Sequence, residues 1–147
     1  MAGIIGTATT DEVALVAATA KTVVWIAAAL NDRVKVKEWG VFFDGISVTA
    51  EPVQVELVKS TAGSAGTLTP VERTSSALTL QTTAGSGALT EPTTTSIIAK
   101  REVHPQSGYQ EKFSFGDEPT IQNGGKIGIR CTAPAIVNVR GEIVFEE

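Results

Sequence analysis

Ala135-Ile136-Val137-Asn138-Val139-Arg140-Gly141-Glu142-Ile143-Val144-Phe145-Glu146 decides the fold class. Ala135, Val137, Val139, Ile143 and Phe145 share one parity, while Asn138, Arg140, Glu142 and Glu146 share the other. Side chains alternate between the two faces of a strand, so this period of two describes a strand with one face in a core and one in solvent. Val53-Gln54-Val55-Glu56-Leu57 and Ile127-Gly128-Ile129-Arg130-Cys131 repeat the pattern. Tyr109, Phe113 and Phe115 line one side of a further strand, with Gln110, Lys112 and Ser114 opposite.

Residues 33–43 break the rule at one point. Val34 and Val36 lie on even positions, whereas Trp39, Val41 and Phe43 lie on odd ones. One extra residue near Lys37-Glu38 would return both sets to the same face, so the pattern predicts a single-residue β-bulge there.

Residues 12–30 carry Lys21 as their only interior charge and approach the length of a membrane helix. A lysine near the bilayer midplane costs about 2.5–3.5 kcal/mol, and Thr and Ala are weakly apolar, so no membrane span is expected. Thr9-Thr10-Asp11-Glu12 has capping-box spacing, which favours a helix, but Thr22, Val23, Val24 and Ile26 are β-branched. The segment is read as two short strands broken near Ala18 to Ala20.

Turn signals recur at Asn31-Asp32, Asp44-Gly45, Ser107-Gly108, Gly116-Asp117, Asn123-Gly124-Gly125 and Ala133-Pro134. Strands at this spacing predict an all-β chain, an antiparallel β-sandwich of jelly-roll type with about seven to nine strands. Between residues 60 and 96 the composition turns to Thr, Ala, Gly and Ser. Long loops are expected there, around one or two short strands such as Ala77 to Thr82.

The chain has 147 residues, 42% hydrophobic and 19% charged, which suits one folded domain and excludes a disordered charged tail. Twelve Lys and Arg against sixteen Asp and Glu leave a net charge of −4, with no basic run. Nucleic-acid binding, which needs a cationic footprint, is therefore not expected. The first ten residues lack the positive charge and apolar stretch of a secretory signal.

One cysteine, Cys131, excludes an internal disulfide, and one histidine, His104, leaves too few ligands for a Cys/His zinc cluster or a cupin metal site. Cys131 is on an apolar face and reads as a core thiol. His104 precedes Pro105 and reads as a polar loop or strand-end residue rather than a catalytic base. Asp117-Glu118 and Glu146-Glu147 are adjacent pairs whose side chains diverge on a strand, so neither aims two carboxylates at one substrate. The glycine-rich turns lack a following helix or Lys-Ser/Thr, which argues against a phosphate cradle. Trp25, Trp39 and Tyr109 could stack on a sugar, but so few aromatics are more simply spent in the core. No catalytic, cofactor-binding or metal-ligating residue is assigned, and the chain is not expected to be an enzyme.

Ala20-Lys21-Thr22-Val23-Val24, Glu38-Trp39-Gly40-Val41-Phe42-Phe43-Asp44-Gly45 and Glu51-Pro52-Val53-Gln54-Val55-Glu56-Leu57 resemble a family of small proteins of tailed bacteriophages. Glu102-Val103-His104-Pro105-Gln106-Ser107-Gly108-Tyr109, Gly116-Asp117-Glu118-Pro119 and Ile127-Gly128-Ile129-Arg130-Cys131-Thr132-Ala133 follow in the same order, then Val137-Asn138-Val139 and Phe145-Glu146-Glu147. The resemblance implies a capsid decoration, or cement, protein: a jelly-roll subunit in the virion, often a trimer, bound to the lattice of the major capsid protein.

Residues 1–12 fall outside that pattern and are expected to form an extended arm ahead of a single domain over residues 13–147. Small and nearly uncharged, the arm is a candidate partner-binding segment, through Ala2, Gly3, Ile4, Ile5, Gly6 and Thr7. A second reading is a trimeric receptor-binding or host-attachment module of the same virion, presenting the loops of residues 60–96.

Overall fold

The alternation over the C-terminal segment becomes the central strand of a sheet in the computed structural model, which describes residues 3–61, 63–74 and 78–147. In chain order the strands are β1 (Ile5–Thr9), β2 (Val13–Leu15), β3 (Ala20–Ala27), β4 (Arg33–Phe43) and β5 (Val53–Thr61). Then come β6 (Ser64–Leu68), β7 (Val71–Glu72), β8 (Thr83–Thr90) and β9 (Thr93–Val103). The last four are β10 (Gly108–Lys112), β11 (Thr120–Gln122), β12 (Lys126–Thr132) and β13 (Val137–Glu146). One sheet has the order β10-β4-β13-β1-β7, with β11 also on β4 and β2 also on β13; the other runs β6-β8-β3-β12-β5-β9. Both are antiparallel, and their inner faces form one core, so the chain is an all-β sandwich. No helix among the described residues is long and apolar enough to cross a membrane.

Trp39, Val41, Ile143 and Phe145 from the first sheet meet Ile26, Leu57, Ile127 and Ile129 from the second, all fully buried. Each such aliphatic or aromatic side chain contributes about 1.5–3 kcal/mol relative to exposure. Two expected members are absent. Ala135 is exposed ahead of β13, because that strand starts at Val137. Phe115 is 91% exposed, because β10 ends at Lys112 and Asp117 N–H closes a turn on the Ser114 carbonyl (3.0 Å).

The predicted bulge is present. Val144 pairs with Glu38 and Phe145 with Val36, so Lys37 is the extra residue, and Val34, Val36, Trp39 and Val41 all reach the core. Lys37 uses its displaced position: its ammonium bridges Glu118 (2.8 Å) and Glu146 (3.2 Å), tying the segment between β10 and β11 to the sheet.

The hydrogen bond from Lys37, followed by that from the Gly116 N–H, lowers the Glu118 carboxyl from 4.5 to about 2. The same contact raises Lys37 above its ordinary value. A lowered carboxyl pKa stabilises the fold above 4.5, and that contribution is lost as pH falls through about 2. Glu118→Gln should therefore melt below the parent at neutral pH, with the gap closing between about 4.5 and about 2. A gap unchanged across paired melts in that window would show that the ionised carboxylate contributes nothing.

Residues 12–30 form β2 and β3, broken at residues 16–19, where Ala18 adopts a left-handed φ of 57°. The expected seven to nine strands are corrected to thirteen among the described residues. Most of the added strands come from residues 60–96, which supply β6 to β8 and the start of β9 rather than long loops. The expected strand near Ala77 to Thr82 is absent from Leu78 to Thr82, and Ala77 lies outside the described residues.

Thr61 pairs with Thr93 and Ser64 with Thr90, so β5-β6 and β9-β8 are two arms of one ribbon. Its near part extends the second sheet beyond β12, and its far part returns to the opposite edge, on β3. Small residues permit this close wrapping. A Cβ on Gly63, where φ is +87°, would come within 2.8 Å of the Pro92 backbone.

The separate arm is also corrected. Ile5 to Thr9 pair residue by residue with Glu146 to Glu142 of β13, and Gly6 and Thr7 pair with Glu72 and Val71 of β7. Over residues 3–9 the segment belongs to the sandwich, because its small side chains fit against the Phe145 ring. A Cβ on Gly6 would be 2.5 Å from that ring.

Candidate interaction surface

At the end of the sandwich where β5 begins and β12 finishes, three connections meet: residues 44–52, 104–107 and 133–136. Each is fixed from below. The Asp44 carboxylate accepts the Asn138 backbone N–H and its side-chain amide, both at 2.9 Å, and these two bonds lower the Asp44 pKa. Gly45 N–H donates to the Pro105 carbonyl (2.7 Å), an approach that leaves a Cβ only 2.5 Å from that oxygen. The Gln106 amide donates to the Ile46 carbonyl (2.9 Å).

Held in this way, the connections display apolar side chains. Ile46 is 92% exposed, Ile136 80% and Val48 78%. Ile46 and Ile136 border a cleft of about 570 Å³ whose floor includes Val53, Pro105 and Val137. Val16, also exposed, sits on the β2–β3 connection, which is tied alongside by the bond from Ala18 N–H to the Ala133 carbonyl (2.8 Å). Four of the twelve large apolar side chains exposed among the described residues, Val16, Ile46, Val48 and Ile136, lie at this anchored end, a grouping of the kind found on surfaces that contact other macromolecules.

His104 borders this end and is engaged in a turn. Its Nδ1 accepts the Gln106 N–H (3.1 Å) and its carbonyl accepts the Ser107 N–H (2.9 Å), so it shapes the turn. Cys131 is fully buried, and desolvation, with the nearby Glu56 charge, pushes its thiol pKa far up, keeping it protonated. Trp39 is in the core with Tyr109 tilted against it, ring centroids 5.4 Å apart. Trp25 lies against Gly85 with the Lys126 ammonium 4.2 Å from its ring centroid, so neither tryptophan offers a free stacking face.

Three of the four carboxylates in the acidic pairs have structural contacts: Glu118 and Glu146 hold Lys37, and the Glu147 side chain accepts the N–H groups of Gln81 (2.7 Å) and Thr82 (2.8 Å). Among the described residues no group of three or more His, Cys, Asp or Glu side chains could hold a metal ion.

The candidate partner-binding residues lie elsewhere, on the side of the first sheet. Gly3 N–H donates to the Glu146 carboxylate (3.3 Å), and Ile4 exchanges backbone bonds with Glu147. Ile5, Gly6 and Thr7 are in β1, and Ala2 lies outside the described residues. The apolar end was not among the expectations, although Ile46 and Val48 carry a signal. Two large apolar residues between the Asp44-Gly45 turn and Glu51-Pro52 have no strand to bury them. The chain matches no family model, no curated protein and no solved structure.

Proposed function

We propose that the protein is a structural virion component, a decoration or cement subunit that docks on the outer face of a tailed-phage capsid and stabilises the shell. The observation that carries the reading is the anchored apolar end, with Ile46 and Ile136 held out to solvent by bonds to Asn138, Pro105 and Gln106. A shell offers many equivalent contacts, so a modest apolar patch per subunit suffices when subunits associate, as in the trimer that the family resemblance implies. The partner is the lattice of the major capsid protein, and the protein resides on the virion surface.

The jelly-roll reading draws support from the ribbon in which β4 pairs with β13 in one sheet and β5 with β12 in the other. The chain crosses between the sheets from β4 to β5 and again from β12 to β13. The host-attachment reading loses its main feature, because residues 60–96 are largely spent on the second sheet.

Capsids incubated with purified protein and imaged by cryo-EM test the proposal. Sandwich-shaped density on the shell, with the apolar end inward, is the expected result. Ile46→Ser with Ile136→Ser should weaken capsid binding about 100-fold per contact at unchanged Tm, since each lost side chain is worth about 1.5 kcal/mol. A bare shell together with specific adsorption to host cells would overturn it.

A further inference from the structure

We propose that the opposite end of the sandwich is a binding site for a multiply charged oxyanion of phosphate type. The argument begins with strand parity. Val53, Val55 and Leu57 face the core from β5, and Lys59 continues that set. Its cross-strand neighbours are Ile127 on β12 and, beyond it, Ile26 on β3, both fully buried. A lysine therefore occupies the last core-facing position before the sandwich opens, half-buried, where the pattern calls for an apolar residue.

What surrounds it is cationic and hydroxylic. Lys59 lines a cleft of about 470 Å³ between the sheets with Arg33, Lys126, Thr61, Thr95 and Thr120, and no carboxylate lines it. Among the described residues the side chains of Lys59 and Arg33 have no ion-pair partner; Lys21, Lys35, Arg73 and Lys112 have none either, but of these six only Lys59 takes a core-facing position between the sheets beside a second cation. The nearest acidic residue in sequence, Asp32, turns one oxygen to the Arg33 backbone N–H (2.8 Å).

An acidic chain that leaves an inward-facing lysine unpaired has a cationic hole that an anion fills. The two cations Lys59 and Arg33 favour a ligand with two negative charges over a monocarboxylate, and threonine hydroxyls supply the neutral donors an oxyanion needs. The nine-residue β5 separates this site from the apolar end by roughly 27–30 Å, so one subunit can engage two ligands at once.

The test uses the full ¹⁵N-labelled chain titrated with inorganic phosphate, and separately with acetate, at constant ionic strength. Phosphate should give saturable shifts at Thr61, Thr95, Thr120 and Gln122 with Kd on the order of 1 mM, and acetate should bind at least about tenfold more weakly. Lys59→Gln and Arg33→Gln, each with an otherwise parental spectrum, should each weaken phosphate binding about tenfold. Phosphoserine is a further arm: tighter binding than phosphate assigns the site to a phosphorylated side chain, and equal or weaker binding assigns it to the free ion. Linear shifts, an unchanged Kd in Lys59→Gln, or acetate binding as tightly as phosphate would overturn the proposal.

Discussion

Deletion of residues 2–10 is expected to lower Tm by about 15 °C or to leave the chain unfolded, because these residues complete the first sheet. Ala8 is fully buried, and Gly6 lies against the Phe145 ring. The buried Thr10 hydroxyl accepts the Gly141 N–H at 2.9 Å, while Thr10 N–H donates to the Gly141 carbonyl at the same distance. Without them β13 keeps β4 but loses its other partner over Glu142 to Glu146, the Phe145 ring loses the cover of Gly6, and two buried polar groups on Gly141 lose their bonds.

Uncovering one aromatic side chain and several small apolar ones, with the two orphaned backbone groups, amounts to about 5 kcal/mol. That approaches the whole stability of an ordinary domain. Calorimetry of the truncated protein beside the parent checks it. A truncated chain that melts within a few degrees of the parent and fails to bind capsids would return residues 1–12 to the role of a docking arm.

The difference between an arm and a strand was not readable locally. Gly3 to Thr10 contain no alternation of large apolar and charged residues, because the segment sits against an aromatic ring that leaves no room for them. What identifies β1 is the long β13 it pairs with, more than a hundred residues later. The bulge at Lys37 is the opposite case. There the rule for side-chain direction conflicts with itself inside one strand, and only an extra residue resolves it, so the position could be read before any partner was known.

Residues 60–96 failed for a third reason. Thr, Ala, Gly and Ser serve loops and tightly curled ribbons equally, and the choice is made by Pro92 packed on Gly63 and by the docking of β8 on β3. At the apolar end, composition alone could locate Ile46 and Val48 in a turn-rich stretch. That they are displayed rather than folded inward depends on the hydrogen bonds to Asn138 and Pro105.

Glu56 shows how parity can be right and burial wrong, and its removal is expected to have the second large effect. On β5 it takes the outward position opposite Arg130, as alternation requires. Yet it is only 5% exposed, because the outer face of the second sheet is itself covered: Val58 and Thr22, also outward, are 1% and 3% exposed. The ribbon that returns to β3 crosses here. Glu91 accepts both the N–H and the hydroxyl of Thr22, at 2.8 and 2.7 Å, and Thr94 accepts a bond from Arg130 (2.8 Å).

Beneath this cover the Glu56 carboxylate holds the Arg130 guanidinium through its Nε (2.8 Å) and the Lys100 ammonium at 3.4 Å. Glu56→Leu should destabilise the protein by about 3 kcal/mol, since it strands a guanidinium that is largely removed from water. Arg130→Met should cost about 2 kcal/mol, the Lys100 contact offsetting part of the loss. Glu56→Leu combined with Arg130→Met should fall within about 1 kcal/mol of the parent, because an apolar pair of similar volume carries no desolvation cost. Urea unfolding of the three variants measures these values. A double variant as unstable as the sum of the singles would mean that the charges are held open to solvent, and that the ribbon does not cover this face.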